Sequence, residues 1–172
     1  MLVTAKVVNV KTKYIRPEYE NLQEWCENPN NVYIGRKGIV FIDGERYPKK
    51  DSFFANPYKL GKHADTIEEI LEMYENKLRQ DLEDDPETMR KKLWSIRNKN
   101  LGCWCKIPKV SNNEGKVSND DDNPCHGDVL IKIMNELVES PKVVQSPSFK
   151  SIKLDMKNKK EKYEKYVRRC EL

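Results

Sequence analysis

Two stretches decide the fold of this chain: Leu101-Gly102-Cys103-Trp104-Cys105, and Cys125-His126-Gly127-Asp128-Val129-Leu130. The first is apolar and β-like, and it ends in two cysteines. The second begins with a cysteine and a histidine and continues into an apolar helical pattern. A strand, a loop and a helix in this order are the usual frame of an α/β site. We therefore expect three cysteines and His126 to meet at one corner of an α/β domain.

The chain has 172 residues, of which 35% are charged and 37% hydrophobic. This length suits one domain with a core, and the polar composition indicates that some segments do not pack. We predict a small single α/β domain over residues 1–140, in two or three layers with amphipathic helices, followed by a linker and basic tail over residues 141–172. Residues 150–172 carry nine Lys or Arg against four acidic residues, so the net charge of +4 resides in the tail.

Composition also bears on the compartment. The sequence has no apolar run of about 18 residues for a membrane span, and Lys6 interrupts the first apolar stretch, so no signal peptide is predicted. Five cysteines are an odd number, and without a secretory signal we expect reduced thiols. The sequence therefore predicts an intracellular, cytoplasmic protein (host cytoplasm if the source is viral) with no membrane partner.

Three β-rich segments precede the central stretch. Residues 2–10, 31–36 and 38–42 are predicted strands, the last closed by a turn at Asp43-Gly44. The second and third segments could form a hairpin, or the third could be an inserted flap. Residues 101–105 are predicted to form an interior strand.

Apolar periodicity predicts three helices. The clearest covers residues 65–81, with a capping box from Asp65 and Glu68. A second begins at Asp85-Pro86, with proline at its first position, and a third covers residues 128–139. We expect the first and third helices to pack on the sheet.

The order of these motifs resembles a known family, the domain of unknown function 4326, found in bacteria, phages and large DNA viruses. The resemblance covers roughly residues 31–138 and rests on Tyr33-Ile34-Gly35-Arg36, on Phe54-Ala55-Asn56-Pro57-Tyr58 and on the two cysteine stretches. Relatives more often carry Gly-Asn-Pro-Phe in the second motif, and their loop between the cysteines is shorter. The resemblance therefore implies that residues 106–123 are an insertion, and it brings no established activity.

The first hypothesis for the corner is a zinc site formed by Cys103, Cys105, Cys125 and His126, because three cysteines and a histidine are a common zinc ligand set. Residues two apart in a regular strand lie about 6.6 Å apart, whereas two thiolates on one zinc need roughly 3.8 Å. Either the strand ends in a turn at Trp104, or only one of its two cysteines binds. Cys125 and His126 are adjacent, which is an awkward chelate, so the sequence favours a metal-free site with zinc as the alternative cofactor.

The second hypothesis is a catalytic site formed by Cys105, Cys125, His126 and Asp128 at the carboxyl end of the strand. Backbone N–H groups at the start of the third helix would point at this corner. A cysteine there would exist partly as thiolate, and the histidine could hold its counter-charge or move protons. The structural alternative is that the cysteines are small core residues and Asp128 only caps the helix.

The expected ligand is a nucleotide or another small phosphate-bearing molecule, bound by Arg36, Asn56 and Gly127. Arg36 suits an anion, and the small Gly127 lets a ligand approach the backbone. Asn56, fixed in a turn by Pro57, offers an amide, although an Asx turn that satisfies its own backbone is an equal alternative. Neither a Walker A motif nor a Gly-x-Gly-x-x-Gly fingerprint is present. Whether the domain is an enzyme of nucleotide or nucleic-acid metabolism stays open.

A different class of function is a binding module without catalysis. In this alternative, zinc stabilises the fold for interaction, or nucleic acid binds through the basic tail by its phosphates. The tail offers only Tyr163 and Tyr166 for stacking on bases. A solvated helix or arm is the other interpretation of such a terminus.

Overall fold

Helices flank a small parallel sheet in the computed structural model of the chain, which describes residues 2–106 and 124–139. The strands are β1 (Lys6–Asn9), β2 (Asn31–Tyr33), β3 (Val40–Ile42), β4 (Glu45–Tyr47) and β5 (Asn100–Cys103). The helices are α1 (Thr12–Ile15), α2 (Leu22–Glu27), α3 (Ile67–Asp84), α4 (Pro86–Ile96) and α5 (His126–Glu139). The predicted α/β class is confirmed. The predicted linker and tail, and residues 107–123 of the predicted insertion, lie outside the described residues.

The main sheet has the order β1-β5-β2, and both neighbours of β5 run parallel to it. Parallel neighbours need crossover connections, which α1 and α2 provide before β2, and α3 and α4 before β5. The predicted interior position of the cysteine strand is confirmed, but the strand ends at Cys103. The predicted first strand is also too long. The N–H groups of Thr4 and Ala5 donate to the carbonyl of Arg97 at the end of α4, so ladder pairing starts at Lys6.

A separate hairpin follows β2. Strands β3 and β4 pair antiparallel across Asp43 and Gly44, whose φ angles of 52° and 82° suit a two-residue hairpin turn. The alternative of a hairpin between β2 and β3 is wrong, because β2 pairs with β5 instead. The inserted-flap alternative describes the observed hairpin better.

Two cores lie on opposite faces of the sheet. Because side chains alternate along β5, Leu101 and Cys103 face the core formed with α3, α4 and α5. The Cα of Gly102 faces the other side of the sheet, where Trp25 of α2 lies. The two cores make a three-layer arrangement, with the larger core under α5. Helix α3 packs chiefly on α4 and α5, and not on the sheet as its sequence pattern predicts.

The helix starts follow local capping chemistry. Helix α3 is capped by Thr66, whose hydroxyl accepts from the N–H of Glu69 while the Glu69 side chain returns to the cap. The predicted pair, Asp65 and Glu68, is therefore wrong by one residue. Helix α4 begins at Pro86 as predicted, with the Asp85 carboxylate accepting from the N–H of Thr88. No helix in the described ranges is long and apolar enough to cross a membrane.

We expect the substitution Thr66→Ala to lower the free energy of unfolding by about 1 kcal/mol, because it removes the acceptor for an otherwise unpaired N–H at the start of α3. Urea denaturation measures the change. Ser95→Ala is the matched control, since Ser95 is exposed on α4 and its hydroxyl donates to the carbonyl of Lys92 within the same helix. A Thr66→Ala effect no larger than that of the control would contradict the cap.

Candidate functional site

The end of β5 brings Cys103 and Cys105 together. The strand stops at Cys103, and the chain bends at Trp104 and Cys105, so the two sulfurs lie 3.4 Å apart. The separation calculated for a regular strand therefore does not apply. The sequence left open either a turn at Trp104 or a site that uses only one of the two cysteines. The structure shows the chain turning away from the strand direction at Trp104. Cys103 is fully buried, and Cys105 is exposed.

The start of α5 supplies the other two members of the cluster. The sulfur of Cys125 lies 3.0 Å from that of Cys103 and 2.8 Å from that of Cys105. The carbonyl of Cys125 accepts from Asp128 and Val129, so α5 begins at His126 and not at Asp128 as predicted. Cys103, Cys105 and Cys125 therefore form one group of three sulfurs close enough to share an ion.

The His126 ring is held in one orientation. Its Nε2 lies 2.9 Å from the carbonyl oxygen of Ile34, so this nitrogen carries the proton and donates. In the neutral ring the other nitrogen, Nδ1, carries the lone pair, and it lies 3.3 Å from the sulfur of Cys105 and 3.7 Å from that of Cys125. The ring of Tyr74 packs edge-on against the imidazole. His126 therefore presents an acceptor nitrogen to the sulfurs.

The three thiols of the cluster differ in pKa. The pKa of Cys103 is raised to about 12, first by its hydrogen bond to Cys105 and further by burial. The pKa of Cys125 is also raised, by hydrogen bonds to the other two thiols and by burial. The pKa of Cys105 is lowered, chiefly because the thiols of Cys103 and Cys125 hydrogen-bond to its thiolate. Without an ion, Cys105 is therefore the thiol of the three that ionises most readily.

Cys105, Cys125 and His126 line a cleft with a volume of about 390 Å³. Two of the predicted ligand residues, Arg36 and Asn56, line the same cleft. Most other lining side chains are aromatic or aliphatic, among them Tyr33, Tyr58, Ile70, Leu71 and Trp104. Sequence reasoning missed this apolar lining, although Tyr33 and Tyr58 stand in the motifs that carry Arg36 and Asn56.

Arg36 is fixed by backbone carbonyls. Its Nε donates to the carbonyl of Asn56 at 3.0 Å, and its Nη2 donates to that of Tyr58 at 3.2 Å. No carboxylate in residues 2–106 or 124–139 forms an ion pair with it. The guanidinium charge is therefore oriented without being neutralised by those residues.

The Asn56 side chain forms the Asx turn that was the structural alternative, since its Oδ1 accepts from the N–H of Tyr58 at 2.9 Å. Asn56 is only 6% exposed, and no described residue accepts from its Nδ2. A turn role and a ligand role are thus compatible for this residue, because the turn uses only its oxygen.

Gly127 and Asp128 serve the start of α5. A Cβ on Gly127 would lie 2.8 Å from Cγ2 of Val7, so the absent side chain allows close packing on the sheet and does not open the cleft. The N–H of Gly127 points to the sulfur of Cys125 at 3.4 Å. Asp128 accepts from the N–H of Cys125 at 2.9 Å and pairs with Lys106 at 3.0 Å. Lys106 was missed, and its place directly after Cys105 is the only sequence signal for it.

Comparison with known proteins gives one match. A family model described as "Domain of unknown function (DUF4326)" matches residues 18–136, which include both cysteine stretches and every residue of the cleft. No curated protein matches the chain. No solved structure matches it either.

Proposed function

We propose that this chain, which belongs to the DUF4326 family, binds a small phosphate-bearing ligand of the nucleotide class in the cleft beside the cysteines. The observation that carries the proposal is Arg36. A guanidinium in the wall of a largely apolar cleft, oriented by two carbonyls and lacking a described carboxylate partner, attracts an anion.

The rest of the cleft suits a planar group attached to that anion. A volume of about 390 Å³ falls within the range of small-molecule sites, which are mostly apolar with a few fixed polar groups. Tyr33, Tyr58 and Trp104 offer flat apolar surface for a base, and the free Nδ2 of Asn56 can donate to a ring or sugar oxygen. Because Arg36 would contact the anion and the aromatic side chains would contact a ring, we propose a nucleotide and not inorganic phosphate.

The helix N-terminus contributes less than the sequence suggested. The N–H of Gly127 faces the sulfur of Cys125, and the N–H of Asp128 bonds to the carbonyl of Cys125. Since these groups are engaged within the protein, the proposed anion site is at Arg36. We do not assign a reaction to Cys105, Cys125, His126 or Asp128, and catalysis at these residues stays a prediction.

The test is a thermal-shift panel of ATP, GTP, UTP, a nucleotide sugar and NAD, with inorganic phosphate as a separate arm. At about 100 times its dissociation constant, a ligand stabilises the folded state by roughly 2.7 kcal/mol, which corresponds to a rise in Tm of about 5–10 °C. We expect at least one nucleotide to give such a rise and Arg36→Gln to abolish it.

Arg46→Gln is the matched control for Arg36→Gln. Arg46 also donates to a backbone carbonyl, that of Gly38, but it does not line the cleft. Retention of the shift in this control and its loss in Arg36→Gln support the proposal. A panel without any shift, or an equal shift in Arg36→Gln and the wild type, contradicts it, and a shift with phosphate alone would restrict the ligand to an anion without a base.

A further inference from the structure

We propose that Cys103, Cys105, Cys125 and His126 bind one zinc ion, so that the wall of the cleft is a closed Cys3His metal centre. This inference does not rest on the ligand proposed for the cleft. It reverses the preference for a metal-free site, because the strand does not continue through Cys105 and because the adjacent Cys125 and His126 bring a sulfur and Nδ1 to 3.7 Å from each other. The ion would coordinate the three sulfurs and Nδ1 of His126.

The distances among the three sulfurs, and from Nδ1 of His126 to two of them, fit zinc coordination after a small expansion. The three sulfurs lie 2.8, 3.0 and 3.4 Å from one another. In tetrahedral coordination with Zn–S bonds of about 2.3 Å, sulfurs lie about 3.8 Å apart, so each pair has to separate by about 1 Å or less. Nitrogen and sulfur ligands of one zinc lie about 3.6 Å apart, and Nδ1 of His126 is 3.3 and 3.7 Å from two of the sulfurs.

Ordinary core packing does not explain the cluster. Carbon atoms pack best at about 3.5–4.0 Å, and the larger sulfur atoms pack no closer, yet all three sulfur pairs lie below this range. A disulfide would bring one pair to about 2.05 Å and leave the third cysteine outside the bond. A shared ion gives every member of the cluster a role.

The orientation of His126 is the second line of support. Histidines that bind metals usually donate their other ring N–H to a carbonyl or carboxylate, which fixes the tautomer and aims the lone pair at the ion. Here Nε2 donates to Ile34, and Nδ1 faces the sulfurs of Cys105 and Cys125. This arrangement comes from a residue 92 positions away in the sequence, so it is a property of the fold and not of the local motif.

Polar groups around the cluster also suit a metal thiolate centre. Zinc with three thiolates carries a net charge of −1, which is stabilised by nearby donors and cations. The N–H of Gly127 points to the sulfur of Cys125. The Asp128 carboxylate accepts from the N–H of Cys125 and also pairs with the ammonium of Lys106, which brings a positive charge close to the cluster. With zinc bound, the thiolate of Cys125 would thus have the N–H of Gly127 as a donor.

The role of such a centre is structural. Four protein ligands leave no open position for a water or substrate, unlike the three-ligand sites of zinc enzymes. The ion would join the end of β5, the bend after it and the start of α5, and His126 would extend this link to the segment after β2 through Ile34. A sheet of three strands, each no longer than four residues, gains from such a cross-link.

Elemental analysis of the full-length protein, purified without added metal, tests the proposal. We expect about one zinc per chain in the wild type, and near-complete loss in Cys103→Ser and Cys125→Ser. Cys26→Ser is the matched control, because Cys26 is a half-buried free cysteine of the other core and should leave the zinc content unchanged. Less than about one zinc per five chains in the wild type, or iron in its place, overturns the assignment.

Cobalt reconstitution keeps the test decisive if the buried-cysteine variants Cys103→Ser and Cys125→Ser do not fold. Cobalt in a tetrahedral site with three thiolates gives intense visible bands and a sulfur-to-metal charge-transfer band. We expect both, with weaker charge transfer in Cys105→Ser and an altered visible pattern in His126→Gln. An octahedral spectrum, or one unchanged by Cys105→Ser and His126→Gln, contradicts a Cys3His centre.

Discussion

Removing the proposed zinc ion is expected to lower the free energy of unfolding by at least about 3 kcal/mol. A ligand that binds only the folded state adds about 4 kcal/mol when its concentration is 1,000 times its dissociation constant. The binding free energies of structural zinc sites in small domains are larger than this value. The loss should be large here because the ion would join β5 to the start of α5 across the main core. Urea denaturation of the full-length protein with and without a strong chelator measures it.

The Cys125→Ser variant provides the control for the chelator. It should already be less stable than the wild type, and the chelator should lower its stability no further, since it has no ion to lose. Cys26→Ser should respond to the chelator as the wild type does. If the chelator removes zinc from the wild type and the unfolding curve does not move, the ion does not stabilise the fold and the structural role is wrong.

Local chemistry explains which helices could be predicted. Helix α4 begins with Asp85 and Pro86, both standard signals, and its apolar residues Met89, Leu93 and Ile96 are buried as the periodicity predicts. The start of α5 was missed by two residues because Cys125 is not a usual cap, and its carbonyl accepts the first helical hydrogen bonds. Sequence patterns identify an element better than they identify its end.

The candidate site depended on contacts that no local pattern records. The motif order correctly predicted that Cys103, Cys105, Cys125 and His126 would meet. Their distances could not be predicted, because the strand was assumed to stay regular beyond Cys103. The orientation of the His126 ring depends on the carbonyl of Ile34, which the parallel pairing of β2 with β5 brings to the site.

Glycine roles were equally hidden from the sequence, because a sequence does not show what faces an absent side chain. Gly127 was predicted to admit a ligand, but Val7 and Ile34 occupy the space beside it. The sequence suggested no role for Gly102, but its position in β5 leaves almost no room for a side chain. An added Cβ there would lie 2.5 Å from Cη2 of Trp25 and 2.6 Å from Cγ1 of Val10.

We therefore expect Gly102→Ala to lower the free energy of unfolding by about 3 kcal/mol, at the upper end for an added methyl group in a packed core. The strand cannot move away, because β5 is paired on both sides, and Trp25 and Val10 are 3% and 1% exposed. Chemical denaturation measures the loss. A loss below about 0.5 kcal/mol, the range of ordinary surface substitutions, would contradict this packing.

A double-mutant cycle separates this contact from a general weakening of the strand by the substitution. Trp25→Phe removes the ring atoms that an alanine at position 102 would meet, at the cost of a cavity when the glycine is kept. We expect the double variant Trp25→Phe, Gly102→Ala to be about 1–2 kcal/mol more stable than the sum of the single losses predicts, because the added methyl group fills part of that cavity. Additive losses would mean that the methyl group is opposed by Val10 or by the backbone and not by Trp25. The cycle therefore tests whether the second core, under α2, fixes the position of the strand that carries Cys103.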